Sequence, residues 1–506
     1  MDMFVSFGNK RFIFSVCAIA SVFLSAKVPT FADTVYWKGN SSDAGLGFNS
    51  GYGWDKMPTA SDDVVIDEAY IKTEGNGYLV DGFWGSDTTW NSLTLNYDSI
   101  YSIPKKLNSN AGGPISITIL NDVVKTGAGT AQFAMGLANT VFNLNVGGNI
   151  IVGKDKDTNG GVLDLGSSNP NTTTDWGGPL DTLTVGKDII VYNSSTLNMN
   201  VYNRNGTSSY YDPDVLIRGL IQGVGSGSPN YINPRFSLLN VNPAELTSDV
   251  RSIISVEGFS GNGIVNVANY SASEYAINSV IYLRSEKGLS YTFEGWTSDV
   301  GTNFNSNIKL KIVKDGVGTQ VFSGTKLMFS GGVEVLGGTL TFYGLAEGRD
   351  TSHGDLTMRG GKLSYMVRTD DQNGKSYLTF ENLVYSDGTI SLQVAPDSVD
   401  KVLLTGTLVA ADVSNKGVVK IELVGEDLSY FESDYRLLIG MGTASSDYDD
   451  GDFMITNLDE SKYSANFDLR DDGLYLKLDV IPEPAAVCSI FGVVALALAA
   501  HGRRKK

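Results

Sequence analysis

A short apolar strand, a glycine-containing corner and a second short strand recur along this chain, and that recurrence restricts its fold more than any other feature. Leu144-Asn145-Val146-Gly147-Gly148-Asn149-Ile150-Ile151-Val152 matches Leu183-Thr184-Val185-Gly186-Lys187-Asp188-Ile189-Ile190-Val191, and each is followed by a leucine-centred strand, Val162 to Leu165 or Thr196 to Met199. Lys125-Thr126-Gly127-Ala128-Gly129-Thr130 pairs in the same way with Lys314-Asp315-Gly316-Val317-Gly318-Thr319. The second copy leads through Phe322 to Gly331-Gly332-Val333-Glu334-Val335 and Gly337-Gly338-Thr339-Leu340-Thr341-Phe342, with a compressed echo from Asp355 to Tyr365. Alternation at Val333 and Val335, or at Leu340 and Phe342, gives strands with one buried face. Glycine pairs between them permit the positive-φ corners that turn one strand into the next. A unit of this kind cannot bury its apolar face alone, so successive units stack and share one core. The fold class expected is all-β, a right-handed parallel β-helix or solenoid; hairpins of a β-sandwich are the alternative reading of the same corners.

Composition agrees with many short strands and turns. Glycine is abundant at 58 of 506 residues, proline is sparse at 13 and charged residues make up 19%. Both cysteines, Cys17 and Cys488, lie in terminal apolar segments, so the exterior contains no thiol for a disulfide, zinc-thiolate site or nucleophile. The formal net charge is −18 while both ends are basic, which places the acidic balance on residues 33–484. Such a surface repels phosphate backbones, and no nucleic-acid partner is expected.

The two ends carry address labels. Lys10 and Arg11 precede the apolar run from Phe12 to Leu24, and Thr30-Phe31-Ala32 precedes Asp33. This is the order of a cleavable signal peptide, residues 1–32, cut between Ala32 and Asp33. At the other end, Pro482, Glu483 and Pro484 precede the uncharged stretch from Ala485 to Ala500 and then the basic tail Arg503, Arg504, Lys505 and Lys506. The positive-inside rule keeps the tail cytoplasmic and the body outside. An apolar helix of 16 residues spans about 24 Å against a hydrocarbon core of about 30 Å, which suits a transient stop better than a permanent anchor.

That order of Pro-Glu-Pro, apolar helix and Arg/Lys terminus resembles the PEP-CTERM sorting signal. The resemblance covers residues 481–506 and implies a C-terminal transmembrane helix, processing by a membrane exosortase-type enzyme, and release or display at the surface of an exopolysaccharide-producing cell. The stretch from Lys314 to Phe342 resembles the autotransporter-associated β-strand repeat, and implies a passenger-like parallel β-helix. The chain departs from autotransporters in having no outer-membrane barrel region after the repeats.

The domain organisation expected is a signal peptide at 1–32, an N-terminal β cap at 33–100, solenoid repeats at 101–350, a C-terminal β region at 351–480 forming a cap or small sandwich, and the sorting signal at 481–506. Tyr36, Trp37, Tyr52 and Trp54 are expected to cover the first coil, with sugar stacking as the competing role. His353, in Thr351-Ser352-His353-Gly354-Asp355, reads as a polar loop histidine because no Gly-x-Ser-x-Gly elbow accompanies it. No catalytic residues are assigned. Asp155-Lys156-Asp157-Thr158-Asn159-Gly160 begins like a calcium loop, but Gly166 stands where the bidentate glutamate belongs; the cluster from Asp447 to Asp452 has no ligand order. Solvated loops are the expected state of both, with calcium the one cation they could take. The function expected is a non-enzymatic exported surface or extracellular-matrix protein, engaged in adhesion or exopolysaccharide association. A β-helix carbohydrate-active enzyme, a polysaccharide lyase or hydrolase, is the alternative.

Overall fold

The computed structural model describes residues 3–7, 10–14, 32–37, 54–67, 69, 82–84, 87–96, 105–109, 115–135, 142–154, 160–166, 180–201, 213–225, 234–239, 249–268, 275–286, 288–300, 307–324, 326–343, 353–366, 377–396, 398–425, 427–443, 446–482 and 493–495. Strands occur in threes. Ile115–Ile119, Val123–Thr126 and Thr130–Met135 form one coil; Phe142–Val146, Ile150–Val152 and Gly161–Leu165 form the next; Thr182–Val185, Ile189–Tyr192 and Ser195–Met199 form the third. Each strand pairs in parallel with its equivalent one coil on, so the body is a parallel β-solenoid with three faces.

The sequence repeats are these coils. Leu144 lies on Leu183, Ile150 on Ile189 and Leu163 on Leu197. Val333 lies on Leu356, and Leu340 on Leu363. Coil length varies without shifting the register: hydrogen-bonded side chains on adjacent coils lie 39 residues apart between Asn143 and Thr182, but 23 apart between Lys311 and Glu334. The Lys125 and Lys314 motifs, alike in sequence, occupy different corners. The first joins the second face to the third, and the second joins the first face to the second.

Inward positions alternate with outward ones and are filled by Val, Ile, Leu and Phe, giving one continuous core from Val35 to Leu478. At about 4.8 Å per parallel strand, the second face, whose pairings link Thr34–Tyr36 to Phe453–Ile455, extends about 70 Å. The corners are braced by side chains. The Asp122 carboxylate accepts from the backbone N–H of Asn149 at 2.6 Å and from its amide at 3.0 Å, while Asn149 Oδ1 accepts from Asp188 N–H at 3.1 Å. Asp188 in turn accepts from Leu220 N–H at 2.8 Å and from Gln222 Nε2 at 2.7 Å.

Two boundary expectations change. Residues 33–100 are not a separate cap: Asp63–Asp67 and Ser92–Asn96 already belong to the second face. The covering role falls on Trp37, Trp54 and Trp90, which are buried edge-to-face with centroids 4.7 and 5.7 Å apart, so the two expected tryptophans serve packing and offer no open sugar platform. At the other end the parallel ladders of the first and second faces cross residue 350, carried by Leu356–Met366 and Leu383–Ala395, long strands that bend through two faces. Besides a two-residue antiparallel pairing of Val394 and Ala395 with Val399 and Ser398, the antiparallel part of this end is Tyr463–Arg470 on Gly473–Val480, the second of which also pairs with Arg436–Gly440; Phe467 lies on Phe453 at 5.6 Å. A hairpin suffices because only the last coil has an uncovered apolar end.

Separate from the body, Met3–Phe7 and Lys10–Phe14 form an antiparallel pair. Among the described residues no helix is long and apolar enough to cross a membrane. Of the expected terminal helix only 493–495 are described, as a short helical piece.

The matched Gly-Gly and Gly-Lys corners need glycine for close approach, not for positive φ. A Cβ on Gly186 would stand 2.2 Å from the Gly147 carbonyl oxygen of the coil before it. Gly186→Ala is therefore expected to destabilise the fold by about 1–3 kcal/mol. Denaturant unfolding checks this, with Lys187→Ala, one residue along the same corner, as the neutral control.

Candidate functional site

The alternation that fills the core also turns two lysines inward. Lys125 follows Val123 at the next inward position, and Lys314 follows Ile312 in the same way; both side chains are buried. Lys125 Nζ donates to the carbonyls of Thr126 and Gly127 in its own corner, at 2.5 and 2.8 Å, and to Gly160 of the next coil at 3.2 Å. Lys314 Nζ repeats the pattern with Asp315 at 2.8 Å, Gly316 at 3.2 Å and Gly337 of the next coil at 3.5 Å. The Lys-x-Gly-x-Gly-Thr spacing thus encodes a corner closed by an ammonium group. Gly127 and Gly316 take φ of 78°, which turns their carbonyls toward the cation. Gly338, at φ 60°, is held to glycine because a Cβ there would lie 2.3 and 2.4 Å from the carbonyl oxygens of Gly318 and Gly316, beside Lys314 Nζ at 2.7 Å. Burial lowers the Lys314 ammonium to about 8, and it remains charged at neutral pH.

The expected processing junctions lie at the limits of the folded body. Ala32 is half-buried and Asp33 exposed, immediately before the second-face strand Thr34–Tyr36. The Asp33 carbonyl accepts from Asp63 N–H at 2.8 Å, and its carboxylate meets Lys56 Nζ at 2.7 Å. The last body strand ends at Val480, and Pro482 is exposed. Glu483, Pro484, Arg503 and Arg504 lie outside the described residues.

The other ionisable candidates have local explanations. His353 is not a polar loop residue: it is buried, bridged in parallel to Phe329, with its ring 5.6 Å from Phe329, 6.2 Å from Phe342 and 5.0 Å from Phe380. Among the acidic loops, Asp155 to Asn159 lie outside the described residues, while Gly160 serves the Lys125 corner. The loop from Asp447 to Asp452 encloses Lys416, whose Nζ lies 2.6 Å from Asp452 and 3.6 Å from Asp449 and donates to the Asp447 carbonyl at 3.1 Å. An ammonium group stands where a bound cation would. Among the described residues no three histidine, cysteine or carboxylate side chains cluster in a way that could hold a metal.

One outward column differs from the rest. On the third face Gln132, Asp164, Asn198, Ser237 and Asn266 lie on successive coils, and all but Asp164 are buried although they point away from the core. Asp164 accepts from Asn198 Nδ2 at 2.6 Å, and burial raises its carboxyl to about 6, more than this hydrogen bond lowers it. Nothing in the spacing marks this pair, whose members lie 34 residues apart on successive coils. The inward lysines were detectable, since the parity of the alternation already places them on the core side.

No family model matches this chain, and no curated protein matches it.

Replacing Lys314 by Met leaves three corner carbonyls without their donor and is expected to cost about 1–3 kcal/mol at neutral pH. The folded value near 8 lies below the ordinary 10.5, so between these pH values the unfolded chain binds more protons and the natural protein gains stability as pH rises. The Met variant is expected to lose that rise, which denaturant unfolding at pH 7, 9 and 10 measures.

Proposed function

We propose that this chain is a non-enzymatic exported protein of the bacterial surface or extracellular matrix, engaged in adhesion or in association with exopolysaccharide. The observation that carries the reading is a continuous apolar core along the whole solenoid, from Val35 to Leu478, with short polar side chains laddered outward between two expected processing junctions. A rod of this kind presents a long repeating surface whose order does not depend on a single site. Its coil is taken as right-handed, the hand that parallel crossovers adopt. Delivery follows the PEP-CTERM-like logic: cleavage before Asp33, a short apolar stop after Pro484, then removal of the tail by an exosortase-type enzyme. Resemblance to autotransporter-associated repeats supports the passenger-like role.

A specific observation favours the carbohydrate-active alternative. Asp164, raised to about 6 by burial, keeps a minor protonated fraction at neutral pH beside Asn198, on an outward polar column. A glycosidase of the common kind needs a second carboxylate facing the first.

Two measurements test these readings. Mass spectrometry of the protein recovered from outside the cell is expected to find Asp33 as the first residue and the segment after Pro484 absent; an intact chain there would sink the processing scheme. Incubation of the purified protein with neutral and acidic polysaccharides is expected to give binding without new reducing or unsaturated ends. Release of such ends, abolished by Asp164→Asn, would establish the enzyme instead.

A further inference from the structure

The third face of the solenoid is broken once. Its eight-stranded sheet ends at Trp296–Val300 and its five-stranded sheet begins at Tyr377–Phe380, whereas the first and second faces run past this level in unbroken register. Across the gap, among the described residues, the third face has two isolated bridges, Thr297 to Leu327 and Phe329 to His353. The seam is filled from inside by rings. Phe293, Phe322, Phe329, Phe342, His353 and Phe380 follow one another with centroids 5.0 to 6.2 Å apart.

His353 is the one ionisable member of that column. It is 7% exposed, and neither Nδ1 nor Nε2 has a hydrogen-bond partner. The elements packed against it turn Phe329, Phe342 and Phe380 toward its ring. The ionisable groups on or beside those elements are Lys326, Tyr343, Asp355 and Glu381, all half-buried or exposed. None of them contributes to its titration, which burial alone drives down to about 3. Among the described residues no carboxylate is placed to receive an imidazolium, so burial opposes a proton arriving there without a counter-ion to offset it.

We propose that this seam is an acid-sensitive hinge: the coils after residue 353 stay docked on those before it, along the third face, only while the His353 ring is neutral. Protonation requires the ring to reach water, and the weakly laddered third face is the side on which that costs the fewest backbone hydrogen bonds. The first and second faces remain paired, so the coils part on one side and stay tethered on the other.

The sign follows from the histidine's ordinary value near 6.5. Above it, closed and open forms carry the same neutral ring. Below it, the open form takes up a proton that the closed form refuses, and the opening equilibrium grows by up to tenfold per pH unit until about 3.

Hydrogen–deuterium exchange of the full chain between pH 7 and 4, corrected for intrinsic exchange, tests this. Peptides covering 326–330 and 377–380 are expected to lose protection about tenfold per unit below 6.5, while the first- and second-face strands at 333–343 and 356–366 and the distant coils at 115–135 and 180–201 keep theirs. His353→Phe is expected to remove that slope. Exchange of the histidine C2 proton in the unsubstituted protein provides a reading independent of any variant: His353 is expected to label far more slowly than free histidine at neutral pH, and, relative to free histidine at the same pH, faster as the seam opens. Uniform loss of protection, an unchanged slope in His353→Phe, or labelling of His353 at the rate of a free histidine would each overturn the proposal.

Discussion

In-register parallel pairing between coils governs everything else in this molecule. A single three-strand coil has an apolar inside and no second layer to bury it against, so it becomes stable only through the coil above and the coil below. The requirement fixes the inward alternation and makes the corners places where backbones of adjacent coils nearly touch. It also explains why both ends need covering. Three tryptophans do this at one end and an antiparallel hairpin does it at the other. Neither device forms a separate domain, because each only closes a stack that is otherwise uniform.

Polar groups inside such a stack are tolerated where the backbone leaves a hydrogen bond to be made. Gln320 is one instance. The second face is loosened between Gly258–Gly261 and Ser290–Phe293, where the ladder keeps a single pair, Gly261 with Phe293. Gln320 stands one coil on: its Oε1 accepts from Phe259 N–H at 2.9 Å, and its Nε2 donates to the carbonyls of Phe259, Tyr291 and Val321 at 3.1 to 3.3 Å. The side chain replaces a missing stretch of sheet. Lys125 and Lys314 do the same for glycine carbonyls at corners. His353 has no such partner on either ring nitrogen; the buried hydroxyls of Ser252, Ser255 and Ser279 share that lack, but His353 alone of these four can take a charge.

The coils themselves were legible in the sequence wherever a corner kept its length, as at Gly147 and Gly186, because equal spacing preserves the similarity that a reader detects. The coils between residues 205 and 310 were not, although Val215 and Ile254 stack as faithfully as any other pair. There the connections vary, and similarity is diluted while geometry is kept. The end of the repeats was misplaced for a related reason: in Leu356–Met366 and Leu383–Ala395 the corner is absorbed into one bent strand, with Gly361 at φ 61° and Gly388 at φ 110°, and the turn signal disappears. Asp164 and Asn198 illustrate the limit of reading by spacing. Their pairing depends on how many residues lie between two coils, a number the register does not constrain.

That freedom in coil length has an evolutionary side. Because a connection can be 39 residues from its neighbour's equivalent in one place and 23 in another with the ladder unmoved, residues can enter or leave between the third face and the next first face without any core residue having to change partners. One flank of the rod is therefore free to diversify while the stack behind it stays fixed. New contacts can be gained by editing this flank alone, much as a shelf accepts different objects without being rebuilt.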